Sequence, residues 1–292
     1  MKHFFKHFLG VILVGALWTA CTKDQLVTNR AEQDITQADM AMVRFIHASS
    51  ANQINTVSPV LAATAPAAMN FFINGVRLNG ISSATQTFTT AYGGAFPGGS
   101  ISFAGSANGN NIFDYAAIPS GPTRVAGALF RLAGGTSADT VASTIFNFNK
   151  WQKYTVVAAD TFPNQRFFAY EDNFAVPDTG NYAIRLINLG ANVVSGAATS
   201  IDLFSRRRQA NIISSVAYRG ASAFVESRVA NLFNGVLTTT DTLEIRATGS
   251  TTALVQLNGF FPVRTRVYTI VTRGSSTQVS PRNINAAGYL NR

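Results

Sequence analysis

From Ala41 onward, apolar residues recur at alternate positions in short runs bounded by Gly, Asn, Pro or Ser. Val43 to His47, Met69 to Ile73, Ile101 to Ala104, Ala126 to Leu132, Thr144 to Phe148 and Tyr154 to Ala158 are such runs. After Asp178 come Tyr182 to Leu189, Ser200 to Phe204, Ile212 to Tyr218, Leu243 to Ala247, Leu254 to Phe260 and Val267 to Thr272. A period of two sends successive side chains to opposite faces of a strand, and no long stretch keeps a helical period instead. Many short strands at this spacing predict an all-β chain built of antiparallel β-sandwich domains, immunoglobulin-like or transthyretin-like. Asn74-Gly75, between Ile73 and Val76, predicts a type I′ hairpin turn, because both central residues of that turn need positive φ.

The pattern occurs twice. Val43-Arg44-Phe45-Ile46-His47 lines up with Ile184-Arg185-Leu186-Ile187-Asn188, and Met69-Asn70-Phe71-Phe72 with Ile201-Asp202-Leu203-Phe204. Tyr92-Gly93-Gly94-Ala95 then answers to Tyr218-Arg219-Gly220-Ala221, and Tyr154-Thr155-Val156-Val157 to Tyr268-Thr269-Ile270-Val271. Matches in one order, with a period above one hundred residues, indicate tandem duplicated domains rather than a solenoid. The first copy is expected over residues 41–177 and the second over 178–292, with Val176-Pro177-Asp178-Thr179-Gly180 breaking the strand pattern between them. The first copy is longer between Tyr92 and Tyr154. That stretch is rich in Gly and Asn, which favours turns over a ligand lid.

The N-terminus is of another kind. Lys2, His3, Lys6 and His7 form a basic patch, followed by an apolar stretch from Phe8 to Trp18 and then Thr19-Ala20-Cys21. Such a stretch is too short to cross a hydrocarbon core roughly 30 Å thick, but it suits the apolar region of a signal peptide. Residues 1–20 therefore read as a signal peptide, with the sole cysteine directly after it. This resembles a bacterial lipoprotein signal, in which the cysteine is acylated; that makes Cys21 the expected lipidation site. Residues 21–40 are then the lipidated Cys and a polar tether, which would hold a domain on the order of 25 Å from the bilayer. The expected location is the cell envelope, anchored in a membrane and by preference the outer membrane.

The strings Val43-Arg44-Phe45-Ile46-His47-Ala48-Ser49, Asn70-Phe71-Phe72-Ile73-Asn74-Gly75 and Tyr154-Thr155-Val156-Val157 resemble an uncharacterised bacterial family, the domain of unknown function forty-three ninety-seven. The second copy looks like another member, so the resemblance covers most of residues 41–275. It departs where the family's acidic, Pro-containing segment is replaced by Ala51 to Ala65. The resemblance implies a secreted or lipid-anchored envelope protein with β-sandwich domains, often from Bacteroidetes, and transfers no catalytic residue.

Composition narrows the chemistry. The chain has 292 residues, 47% hydrophobic and 13% charged. A chain this apolar can bury enough surface to offset its ordering entropy, which excludes intrinsic disorder. One cysteine excludes a disulfide scaffold. The formal net charge of +9 is uneven. Residues 41–175 hold seven bases and five acids, while residues 176–292 hold twelve bases, all Arg, against five acids. Arg206-Arg207-Arg208 follows the strand at Ser200 to Phe204, and Arg219, Arg264 and Arg266 lie in the same copy. These six are the candidate anion-binding residues, since guanidinium forks match carboxylate, sulfate and phosphate oxygens. Arg264 and Arg266, two apart, would share one face of a strand.

No Gly-x-Ser-x-Gly elbow, phosphate-binding loop, dinucleotide fingerprint or His-Glu-x-x-His helix is present. Beyond the signal peptide only His47 remains of three His, so a zinc site is not expected, and His47 reads as a buried strand residue rather than a base. Glu171-Asp172 are adjacent and would point to opposite faces of an extended segment, which does not suit a catalytic carboxylate pair. Asp160, Glu171, Asp172 and Asp178 are the carboxylates that would suit calcium, but a solvated loop is the expectation for them. No cofactor, metal or catalytic residue is assigned. The expectation is a non-enzymatic binding or adhesion module for an anionic glycan or another envelope protein, with no nucleic-acid partner. The alternatives are a surface subunit assembling by strand addition, and a hydrolase with acids gathered from distant strands.

Overall fold

The computed structural model describes residues 39–49, 69–78, 81–82, 86–87, 90, 92–97, 115–130, 137–160, 164–191, 200–229, 240–275 and 283–292. The expected signal peptide, Cys21 and tether, the run Ile101 to Ala104 and the Gly98 to Asn111 stretch lie outside the described residues. The first copy contributes β1 (Met40–His47), β2 (Met69–Ile73), β3 (Val76–Arg77), β4 (Ile81–Ser82), β5 (Gln86–Thr87), β6 (Ala95–Phe96), β7 (Ala116–Pro119), β8 (Gly121–Phe130), β9 (Ser137–Phe148), β10 (Lys153–Ala159) and β11 (Arg166–Glu171). The second contributes β12 (Asn181–Asn188), β13 (Ile201–Ser205), β14 (Ala210–Val216), β15 (Val225–Arg228), β16 (Asp241–Ala247), β17 (Ala253–Phe260), β18 (Val267–Arg273) and β19 (Asn285–Leu290). There is no helix among the described residues.

Each copy makes two principal sheets. In the first copy one sheet runs β11-β10-β1 with β6 and β7 against the other side of β1, and the second runs β3-β2-β8-β9. In the second copy the orders are β15-β12-β18-β19 and β14-β13-β16-β17. The two sheets of each copy pack face to face: Val43, Phe45, Tyr154 and Val156 meet Met69, Phe71, Val125 and Phe148, and Ile184, Leu186 and Ile270 meet Ile201, Leu203, Leu243 and Ile245. The turn at Asn74-Gly75 has φ of 49° and 85°, both positive, as the I′ hairpin requires.

One expectation is corrected. The sheets are not wholly antiparallel, because β1 pairs with β10 in parallel (Val43 with Tyr154) and β12 with β18 in parallel (Ile184 with Tyr268). Between the members of each pair the chain builds the opposite sheet. It therefore returns by crossover rather than hairpin and arrives running in the same direction.

The central strands also lack the alternation expected of a sandwich with one wet face. Ala41 to His47 and Tyr182 to Asn188 are buried at every position. The second face of each central pair is covered by the other copy: Ile46, Ala48, Val157 and Ala159 pack against Ile187, Leu189, Val271, Ala287 and Tyr289. Sheets buried on both sides read as continuous apolar runs. The chain thus stacks four sheets, with the two parallel-containing sheets innermost.

Candidate functional site

The arginine residues singled out from the sequence divide between two places. Arg206, Arg207 and Arg208 form the turn between β13 and β14, which buried Asp241 organises. Its carboxylate accepts from the Ser205 hydroxyl and, at 3.0 Å, from the Arg207 amide, while Ser205 Oγ accepts the Arg208 amide at 3.1 Å. The Arg208 guanidinium donates to the carbonyl of Arg228 at 2.7 Å, and Arg228 is paired with Asn181 at the start of β12. At that same end the Thr265 amide donates to Asn181 O and the Ala183 amide to Arg266 O. Four connections therefore bring Arg207, Arg208, Arg228, Arg264 and Arg266 to one end of the second copy. Arg264 and Arg266 do so from a turn and the residue after it, not from one face of a strand as expected, because the chain reverses at Thr265 with φ of 60°.

Among the described residues three acidic residues lie at this end. Asp241 is engaged within the turn, exposed Glu226 accepts from Asn181 Nδ2 at 2.9 Å, and exposed Asp178 lies beside them, its carbonyl accepting the Asn181 amide at 2.8 Å. Arg206 turns toward the sheet: its Nε lies 3.0 Å from buried Glu244, which also binds Arg246 at 2.6 Å and Gln256 at 3.1 Å. A guanidinium is a planar donor fork, a shape suited to carboxylate or sulfate groups.

Arg219 does not belong to this group. Its amide donates to Asn188 at the far end of β12, roughly 23 Å along the strand. Its guanidinium pairs with Asp160 of the first copy at 2.8 Å, and Tyr218 donates to the same carboxylate. Burial, then the bond to Asp160 and its charge, push the Tyr218 phenol up to about 12, so it stays a neutral donor.

Between the copies lies a site the sequence reading did not anticipate. Arg185, 2% exposed, donates from Nη2 to Asp172 Oδ1, from Nη1 to the Glu171 carbonyl at 3.0 Å and from Nε to Thr269 Oγ1 at 3.0 Å. Thr269 donates to Asn291 Oδ1 at 2.7 Å, Asn291 Nδ2 donates to the Tyr115 hydroxyl at 2.9 Å, and Tyr115 donates to Asp172 Oδ2 at 2.5 Å. The bonds close a ring of five side chains, every one buried, drawn from both copies. Thr155 adds a further donor to Asp172 at 2.8 Å. Burial, then the neighbouring Asp172 charge, raises the Tyr115 phenol far above its ordinary value, which keeps it a donor.

The contacts are reciprocal, as in an isologous interface. Arg44 in β1 donates to the Leu290 carbonyl of β19, and Arg185 in β12 donates to the equivalent Glu171 carbonyl of β11. Arg44 lies 4.6 Å over the ring of Tyr115, and Arg185 4.6 Å over Phe224, the residue in the same place before β15. Tyr289 donates to Gly93 O at 2.8 Å and Tyr170 to Arg219 O at 3.0 Å. A signal for this existed in the sequence: an Arg flanked by apolar residues at the same place in both opening strings.

The expectation of solvated loops for Asp160 and Asp172 is corrected, since both are buried on arginines of the other copy. Glu171 is exposed beside buried Asp172, as adjacent residues of an extended segment should be. Among the described residues no three His, Cys, Asp or Glu gather as metal ligands. His47 is buried in β1 with its ring edge-on to Tyr92 at 5.9 Å.

No protein-family model matches the chain, and no curated protein does. Among solved structures, a protein from Bacteroides eggerthii described as a "putative cell adhesion protein" is similar over 87% of this chain and 97% of its own, at 10% identity and a TM-score of 0.19. A TM-score that low carries neither fold nor function, and the all-β assignment stands on the strands themselves.

Proposed function

We propose that the protein is a lipid-anchored envelope protein whose second copy binds an acidic polymer, an anionic glycan above all, at its arginine-bearing end. The observation that supports this reading is the convergence of Arg207, Arg208, Arg228, Arg264 and Arg266 on one end while the nearby Asp241 is engaged internally. The resemblance of both copies to the envelope family and the signal-like N-terminus agree with it. A non-enzymatic role agrees with the carboxylates, because Asp160, Asp172, Asp241 and Glu244 are each bound to partners inside the fold.

The test is binding to a uronic-acid or sulfated polysaccharide at two salt concentrations. The triple variant Arg207→Ala, Arg208→Ala, Arg264→Ala is expected to bind on the order of tenfold or more weakly and to lose most of the salt dependence. Unchanged binding by that variant would overturn the reading.

A further inference from the structure

The corresponding end of the first copy has a different character. There the chain enters β1, with the Asp39 carbonyl accepting from the Ser120 amide at 3.0 Å and Met40 O accepting the Trp151 amide at 2.8 Å. Trp151 takes the place that Thr265 has in the second copy, with a similar φ of 63°, uncommon for a bulky residue. Its side chain is 59% exposed. Val76, beside the hairpin turn of the same end, is 68% exposed, and Ile145, paired with Arg124 in β9, is 69% exposed. The hairpin is tied to Arg124 by reciprocal bonds of 2.9 Å, Asn74 amide to Arg124 O and Arg124 amide to Asn74 Oδ1. Three of the five large apolar side chains exposed among the described residues therefore belong to the strands and turns that reach this end of the first copy.

The same end is basic. Lys150, Arg77 and Arg124 flank these residues, and the Lys150 ammonium lies 5.3 Å from the Trp151 ring centre while also pairing with Asp39. Exposed Trp beside Lys and aliphatic groups is the combination that fits the headgroup layer of a membrane, where the ring is half in water and the ammonium meets lipid phosphate. Eighteen residues, Thr22 to Asp39, separate this end from Cys21, a distance of at most ~65 Å fully extended. The bilayer holding the anchor is therefore within reach of this end.

We propose that the Trp151 end of the first copy seats on the bilayer that anchors the protein, with Trp151, Val76 and Ile145 in the headgroup layer and Lys150, Arg77 and Arg124 on anionic lipid. This rests on acylation at Cys21. Across the interface like ends of the copies meet, Arg219 on Asp160 at the ends of β12 and β10 and Tyr289 on Gly93 beside the end of β1, so the arginine-bearing end of the second copy lies on the same side of the molecule as the seated end.

The mature chain offers a direct probe, because loss of the signal peptide removes Trp18 and leaves Trp151 as the sole tryptophan. The acylated protein is reconstituted into phosphatidylcholine vesicles carrying brominated acyl chains, with and without phosphatidylglycerol. Trp151 emission is expected to shift to the blue and be quenched, more strongly with the anionic lipid. Lys150→Glu and Arg124→Glu are each expected to weaken the anionic-lipid effect about fivefold. Trp151→Phe, followed by circular dichroism, separates loss of the probe from loss of the fold. Anchored protein whose Trp151 emission stays red and unquenched in both vesicles overturns the seating while the anchor stands. Membrane attachment that survives Cys21→Ala overturns the anchor, and if Trp151 emission in that variant is also red and unquenched it overturns the seating with it.

Discussion

Asp172 and Asn291 stand at the same place in the two copies, one residue past the strand that flanks the parallel pair, and each accepts from the equivalent threonine, Thr155 or Thr269. One is a carboxylate and the other an amide. A like contrast appears in the cores: where the second copy has Ile245 against small Ala286, the first has Gly127 against Phe167. The two copies share a backbone plan, while volume and charge are distributed differently among positions that touch. The difference teaches that the copies are no longer interchangeable, and that the asymmetry is concentrated where side chains meet buried neighbours.

The carboxylate should break the equivalence most. Asp172→Ala removes the partner of a fully buried guanidinium and should destabilise by about 3–5 kcal/mol, whereas Asn291→Ala, which removes only neutral hydrogen bonds, should cost about 1–2 kcal/mol. Urea unfolding monitored by circular dichroism measures both, and equal losses would deny any special weight to the charge.

The volume exchange comes next. A Cβ on Gly127 would sit 2.8 Å from Met69 Sδ and 2.9 Å from Phe167 Cζ. Gly127→Ile should therefore cost about 1–3 kcal/mol by overpacking, and adding Phe167→Ala should return part of that loss, as the second copy's pairing implies. Strictly additive losses in the double-mutant cycle would show that the two positions are not coupled.

The smallest expected effect is alkaline. Tyr218, Tyr268 and Tyr289 are each pushed up to about 12, chiefly by burial, against an ordinary value near 10. Above pH 10 the unfolded chain releases these protons first, so it binds fewer than the native state and stability falls as pH rises toward 12. Below pH 10 these groups should leave stability flat. Tyr218→Phe removes the donor to Asp160 and should flatten the alkaline slope, which stability curves at pH 9 and pH 11 would register.

What the sequence discloses here follows from how locally each feature is encoded. The opening strings around Arg44 and Arg185, the Asn74-Gly75 turn and the paired tyrosines Tyr154 and Tyr268 are legible because strand period, turn chemistry and core-facing aromatics are neighbourhood properties. The tyrosines also cap the preceding turns, each hydroxyl accepting a backbone amide at 3.0 Å from Asn149 or Val263. Strand β19, Asn-Ala-Ala-Gly-Tyr-Leu, escapes notice because its small residues carry little β preference and only the other copy's apolar face makes them fit. Asp160 and Asp172 resemble loop acids for the same reason, since their arginine partners belong to the other copy. Arg219 looked like a member of the basic group because spacing along the chain does not reveal which end of β12 a residue reaches.

The parallel pairing has a kinetic meaning. β1 waits for β10, more than a hundred residues later, and β12 for β18 more than eighty later, so the most apolar strand of each half is made long before its neighbour exists. Contacts that distant in sequence place folding among the slow, topology-limited cases, with a sticky edge exposed meanwhile. For a chain expected to cross a membrane before it folds, a first strand that cannot close early keeps the polypeptide threadable until its partner has followed it through.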